Sequence, residues 1–312
     1  MSIIKTLWRA NAALTAVGLL MLAALLVSLA GMWIDPRVVT GAPAWLKPSK
    51  FHLSVAVYTL TLAWVFTYLP AWRRTRLIVG WTNALVFVVE LAIVDLQAWR
   101  GTSSHFNVGT PLDALLFNIM GGGITVQTLS TVVVAAVLWL QVFPDRAIGW
   151  ALRLGMSMTI ASAVASGGLM LTPTQDQIEQ SRVSHHMSIT GAHTVGAPDG
   201  GPGIPGLHWS RDHGDLRISH FVGLHSLQAL SLLVLLLPSG WSATRRVRVT
   251  MMAAASYAGL FVVLLWQALR GQSIVAPDAA TLAAFSVWII ASAVLMSVAA
   301  RAEAAREVVA AY

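Results

Sequence analysis

LIVGWTNALVFVVELAIVDL, residues 77–96, decides how the chain is read. A helix of about 20 mostly apolar residues spans the roughly 30 Å hydrocarbon core of a bilayer. The run begins just after Arg73-Arg74-Thr75-Arg76, a basic cluster of the kind that anchors a cytoplasmic turn. It carries two carboxylates, Glu90 and Asp95, and continues into Gln97 and Arg100. Glu90 lies about 13 residues, or roughly 20 Å, from the basic end. That depth falls in the far half of the bilayer, where a carboxylate is costly and is retained for pairing or for work.

Seven further stretches have the same character, at about 11–33, 51–69, 112–142, 147–171, 218–237, 249–270 and 279–299. The composition agrees: 56% of the 312 residues are apolar and 11% charged, with a mean hydropathy of +0.70. Soluble domains carry about 25% charge. An ordinary soluble enzyme, a disordered chain and a secreted disulfide scaffold are therefore excluded. The expectation is an all-α polytopic bundle of about eight transmembrane helices, forming one integral membrane domain over residues 1–312. A triple glycine, Gly121–Gly123, predicts a tilt, kink or interfacial turn in the long fourth span. No internal repeat is visible, which weighs against an inverted-repeat transporter.

Orientation follows from Lys and Arg. Twelve lie on one side, in short links and at both termini, and eight on the other, in longer loops. The first side is expected to be cytoplasmic, which places both termini inside. The net charge of +7 is explained by this topology, so nucleic acid is not an expected partner; the lipid bilayer is. Ser28-Leu29-Ala30 before Gly31 satisfies the small-residue rule for signal cleavage, but the apolar run is long for a signal peptide. A retained first helix is expected.

The chain has no cysteine, so thiolate ligands, disulfides and thiol nucleophiles are excluded. All nine histidines fall on the expected outer side. Three segments hold most of the polar groups there. Gly41-Ala-Pro-Ala-Trp-Leu-Lys47-Pro-Ser-Lys50-Phe-His52 leads into the second span. Its two cations oppose the dipole of the helix they start, which suggests either snorkelling or an anion pocket. Glu90, Asp95, Gln97, Arg100, His105 and Asn107 form a polar stripe climbing out of the third span. The third segment is an outer loop of residues 172–217, expected to act as a lid, with Thr172-Pro173 opening a short polar helix. It feeds a span that starts with His220, His225 and Gln228. His220 and His225 are five residues apart, which is not an i,i+4 chelate; they serve one site if the helix start is distorted at Gly223, or else point to different partners.

The thirteen tryptophans divide between the expected interfaces, where they form an aromatic belt, and the core. Three strings are distinctive: GAPAWLKPSKF at 41–51, QAWRGTSSHFN at 97–107 and HTVGAPDGGPGIPGLHWSRDHGDLRISHFVGLHSLQ at 193–228. They resemble a group of bacterial multi-pass membrane proteins known only as hypothetical. The resemblance implies a location in the bacterial cytoplasmic membrane and brings no activity or site residue with it. Eight helices with outer-half histidines are also loosely similar to the haem A synthases. The chain departs from that pattern in having neither a duplicated four-helix half nor a Glu-x-x-His-Arg string.

Two functional readings stand side by side. In the first, His105, His220 and His225 are ligands of a haem b or of Zn, Cu or Fe on the outer side. Gln97, Asn107 and Gln228 orient the rings, and Glu90, Asp95 and Arg100 handle protons and charge for a quinone or other lipid-soluble substrate. In the second there is no cofactor. Lys47, Lys50 and Arg100 hold an anionic or lipid ligand in a transport, sensor or binding protein, and the histidines titrate. Both readings expect the polar groups to face one outer-side cavity.

Overall fold

The computed structural model describes residues 2–310, with side chains described through Ala299. It is helical nearly throughout. The helices are α1 (Ile3–Ala10), α2 (Ala12–Ile34), α3 (Leu46–Val65), α4 (Arg73–Arg100), α5 (Pro111–Leu140), α6 (Arg146–Ser162), α7 (Gly168–Met170), α8 (Gln175–Ser184), α9 (Leu216–Leu224), α10 (Ser226–Leu236), α11 (Ala243–Leu269) and α12 (Ala279–Ala310). A π-turn at Ala163–Gly167 joins α6 to α7. The only sheets among the described residues are two short hairpin pairings, β1 (Val38–Val39) with β2 (Ala42–Pro43) and β3 (Thr194–Val195) with β4 (Gly214–Asp215).

Seven segments are long and apolar enough to cross a membrane, and the bent pair α9–α10 makes an eighth if it counts as one span. The expected spans coincide with these segments. The chain is an all-α polytopic helix bundle with the composition of an integral membrane protein. The segment α5 is helical through Gly121–Gly123, and a Cβ added at Gly121 or Gly122 would meet nothing within 4 Å. One detail differs from expectation: the polar helix of the long loop starts two residues late. Its cap is Thr174, whose hydroxyl accepts from Gln177 N while the Gln177 side chain accepts from Thr174 N, a reciprocal capping box. It ends at His185, which lies in the left-handed region.

The chain divides into two compact units. Unit 1 holds residues 1–137, 170–192 and 198–208; unit 2 holds residues 138–169, 193–197 and 209–312. In unit 1 the cluster Val17, Met21, Val55, Ala56, Ala84, Phe87 and Leu91 binds α2, α3 and α4 together. Asn11 breaks the chain between α1 and α2, caps α2 by accepting from Leu14 N, and donates to Arg76 O at the start of α4. At the other end of α4, Gly101 in the left-handed region closes the helix, a conformation that favours glycine. In unit 2, α6 and α10 approach so closely at Gly155 that a Cβ there would lie 2.6 Å from Leu227 Cα. That approach lets Ser226 Oγ donate to Gly155 O across the contact.

Two ion pairs pin exposed turns. Asp35, just past α2, is gripped by the Arg37 guanidinium and also accepts from Trp45 Nε1. Asp278, just before α12, is gripped by Arg270 and accepts from Thr281 N. In each case the hydrogen-bonded guanidinium holds the carboxyl well below the usual carboxylate range.

Candidate functional site

The polar groups of unit 1 gather where α3 begins and α4 ends. Antiparallel packing sets the first turns of α3, with Lys47, Phe51 and His52, beside the last turns of α4, with Glu90, Asp95, Gln97 and Arg100. The link from α4 to α5 adds His105.

Glu90 is the centre of the arrangement. It is 3% exposed, and neither carboxylate oxygen has a hydrogen-bond donor among the described residues. Its neighbour is His105, whose Nε2 lies 3.8 Å from Oε1. The His105 ring is held on its other side by Ser104 Oγ, 3.1 Å from Nδ1, and stands edge-on to Phe51 at 5.3 Å between centroids. The Lys47 ammonium sits 5.7 Å from the Phe51 ring centroid, and its charge is felt at Glu90. The imidazole and the ammonium thus flank one aromatic ring, and the buried acid lies beside the imidazole. Leaving a buried carboxylate without donors costs several kcal/mol in general, so such a group persists where it binds something or exchanges a proton.

One turn further along α4 a second constellation forms. His52 is 2% exposed. Its Nδ1 is 2.7 Å from Ser28 Oγ on α2, and its Nε2 is 3.3 Å from Asp95 Oδ2 on α4. Ser28 also donates to Ala24 O, the back-bond usual for a helical serine. Hydroxyl, imidazole and carboxylate thus come from three different helices. Neither His52 nor Ser28 stood among the sequence-level site residues. Nothing in an apolar helix marks Ser28; its role depends on the packing of α2 on α3.

Arg100 is committed elsewhere. Its Nη1 donates at 2.5 Å both to Gln97 Oε1 and to Asp113 Oδ1. Gln97, wholly buried, donates to the same Asp113 oxygen at 2.9 Å, and Thr110 Oγ1 donates to Asp113 Oδ2 at 2.6 Å. This node ties the end of α4 to the first turn of α5. Asp113 was not anticipated either, although Thr110-Pro111-Leu112-Asp113 carries the Ser/Thr-x-x-acid pattern of a helix start. Asn107 is a turn-former: its amide donates to Thr102 Oγ1 and Ser103 O, and its Oδ1 accepts from Gly109 N.

The long loop lies against this end of unit 1. Val108 N donates to Ser188 O and Thr190 N to Phe106 O, so the link that carries His105 is paired with residues 188–190. Gln177 fastens that segment through both the N–H and the carbonyl of Gly191. Lys50 Nζ donates to Leu207 O at 2.8 Å. Lys50 therefore holds the loop, and Lys47, one turn earlier, faces the site.

His220, His225 and Gln228 belong to unit 2. The helix is bent at His225, two residues past Gly223, where α9 and α10 meet at 44°. His220 is seated on the π-turn region, with Nδ1 3.4 Å from Ser162 O and with Ser162 Oγ donating to His220 O. The His225 ring lies 4.4 Å from that of Phe221, tilted by 57°. Serines line the same contact, Ser166 Oγ meeting Ser219 Oγ at 3.0 Å. Of the eleven sequence-level site residues, Glu90, His105 and Lys47 come together, with Asp95 one turn away. Gln97 and Arg100 form the neighbouring node, Asn107 and Lys50 shape the loops, and the remaining three lie in unit 2. Among the described residues no group of three or more His, Asp or Glu is placed to hold a metal ion.

Comparison with protein-family models, with curated proteins and with solved structures finds no match to this chain.

Proposed function

We propose that this chain is a bacterial cytoplasmic-membrane protein whose unit 1 binds a small polar or lipid-soluble ligand, a quinone being one such class, and exchanges a proton with it at Glu90. The observation that carries the reading is the buried Glu90 carboxylate, without a hydrogen-bond donor among the described residues and facing His105 and Lys47. Ligand arriving there supplies the missing donor. Ser28, His52 and Asp95 stand behind it as a relay of hydroxyl, imidazole and carboxylate toward the end of α4. In this reading both termini are cytoplasmic and the site opens to the outer face, covered by the 172–217 loop. Reporter fusions at Arg74, Pro198 and Tyr312 then read inside, outside and inside.

This joins the cofactor-free ligand site of the second reading to the proton handling and quinone of the first, with the cations reassigned. Lys47 serves the ligand, while Lys50 and Arg100 hold the loop and the α4–α5 junction. The haem or metal reading of His105, His220 and His225 has no gathered ligand set behind it among the described residues. The test is a thermal-shift screen of quinones and small organic anions on the detergent-purified protein, run alongside a visible spectrum and metal analysis. A ligand at about 100 times its Kd stabilises by about 2.7 kcal/mol. The expected hit stabilises wild type and fails to stabilise Glu90→Gln and His105→Ala. Equal stabilisation of wild type and Glu90→Gln by every hit refutes the reading, and a Soret band or stoichiometric metal lost in His225→Ala replaces it with the cofactor reading.

A further inference from the structure

We infer that unit 2 carries a binding site for the phosphate of an anionic phospholipid, in a cleft over the start of α6. The cleft, about 370 Å³, is lined by Val142, Phe143, Arg146, Trp150 and Arg153. Beside it is the basic turn that opens α11, whose Arg246 pairs with Asp145 at 2.9 Å. Arg146, Trp150 and Arg153 stand at i, i+4 and i+7 and so share one face of α6.

The Arg153 guanidinium is fixed rather than loose. Its Nε donates to Leu138 O at 3.0 Å and its Nη2 to Gln141 O at 2.7 Å, both at the end of α5. Phe143, Trp150 and Trp139 surround it with ring centroids at 5.3, 5.5 and 5.8 Å. An Arg held by carbonyls and rings keeps its full charge, and its Nη1 has no hydrogen bond to a described residue. The carboxylate next to the cleft is already used. Asp145 caps α6 through Ala147 N and Ile148 N and pairs with Arg246 at 2.9 Å. Arg146 and Arg153 therefore present two positive charges with no acidic partner among the described residues. Exposed apolar side chains flank them, Val142 at 83% and Leu140 at 71%.

Two guanidiniums beside interfacial tryptophans match a headgroup phosphate whose acyl chains lie along the exposed apolar side chains. A freely soluble phosphate satisfies the cations and leaves that apolar surface unexplained. Phospholipid is therefore the occupant the site favours.

The test is native mass spectrometry of the full chain in detergent, with phosphatidylglycerol and phosphatidylcholine supplied separately at equal concentration. Wild type is expected to retain one phosphatidylglycerol more tightly than any phosphatidylcholine. Arg146→Gln/Arg153→Gln should weaken that first lipid about tenfold or more, the loss of a charge-assisted contact. Arg146→Gln alone alters only an exposed side chain and should still weaken it several-fold, which covers a fold defect at Arg153. Arg73→Gln/Arg74→Gln should leave it unchanged. Equal retention of the two lipids by wild type overturns the proposal, as does full retention of phosphatidylglycerol by Arg146→Gln. Displacement of the lipid by millimolar inorganic phosphate also overturns it, in favour of a free-anion site.

Discussion

Replacing Asp113 by Ala tests whether Arg100 serves structure or ligand. The carboxylate is 5% exposed and accepts from Arg100 Nη1 at 2.5 Å, Thr110 Oγ1 at 2.6 Å and Gln97 Nε2 at 2.9 Å. Truncating one member of a buried ion pair costs about 3–5 kcal/mol when the partner stays buried. Arg100 is 28% exposed, so water recovers part of that loss. Gln97 is not so placed: it is wholly buried, and its only other acceptor among the described residues is Ser103 O at 3.5 Å. Together these give a destabilisation of about 3 kcal/mol. The assay is unfolding in detergent followed by circular dichroism, for Asp113→Ala and for a cycle of Asp113→Asn, Arg100→Gln and the double variant. A coupling of about 1–3 kcal/mol is expected between the two positions. Ligand hits that need Glu90 should bind Arg100→Gln as they bind wild type. An Asp113→Ala protein within about 0.5 kcal/mol of wild type, with no coupling in the cycle, refutes the structural assignment and returns Arg100 to the ligand.

Three further outcomes follow from the same geometry. His52→Ala leaves the Ser28 hydroxyl and the Asp95 carboxylate without their shared partner and should lower stability by about 2–3 kcal/mol, with Ser28→Ala costing about 1; equal stabilities for both variants and wild type count against the relay. Gly155→Ala drives a Cβ into the Leu227 backbone and should cost about 3 kcal/mol or prevent folding, visible as lost yield of monodisperse protein. Asp278 and Asp35 have lowered carboxyl pKa values when folded, so their contribution is present above the ordinary pKa of about 3.9 and is lost as pH falls below it; Asp278→Asn should therefore flatten the acid side of the stability profile, and an unchanged acid limb in that variant contradicts the pairing.

Much of the fold was legible because a span announces itself. Leu77–Leu96 needs only length and apolarity to be recognised, and neither depends on partners. The helix ends were less legible, because caps are decided by single hydrogen bonds. Thr172-Pro173 satisfies the same local rule as Thr174, and the Gln177 side chain selects the latter. The bend itself lies at His225, two residues past Gly223, beside the point where Ser226 Oγ donates to Gly155 O.

The candidate site was half legible, and the division has a physical cause. Glu90 stands out in sequence because an acid in an apolar run is costly wherever it points. Its setting could not be read the same way. Arg100, three residues from Gln97, reads in sequence like Lys47, a cation at the polar end of a span, until Asp113 arrives from α5 to neutralise it. Asp113 is hidden by its ordinary place in a helix-start pattern, and Ser28 by its apolar surroundings. The cations that neutralise structure and the cation that faces the site differ only in what the next helix brings to them. Lys50 and Lys47 make the point within one turn of α3: the first is taken by Leu207 O, while the second lies over Phe51 with its charge felt at Glu90. Charge count along the chain therefore locates the polar end of unit 1, and tertiary pairing subtracts Arg100 and Lys50 from it, leaving Glu90, His105 and Lys47 as the groups with chemistry to offer.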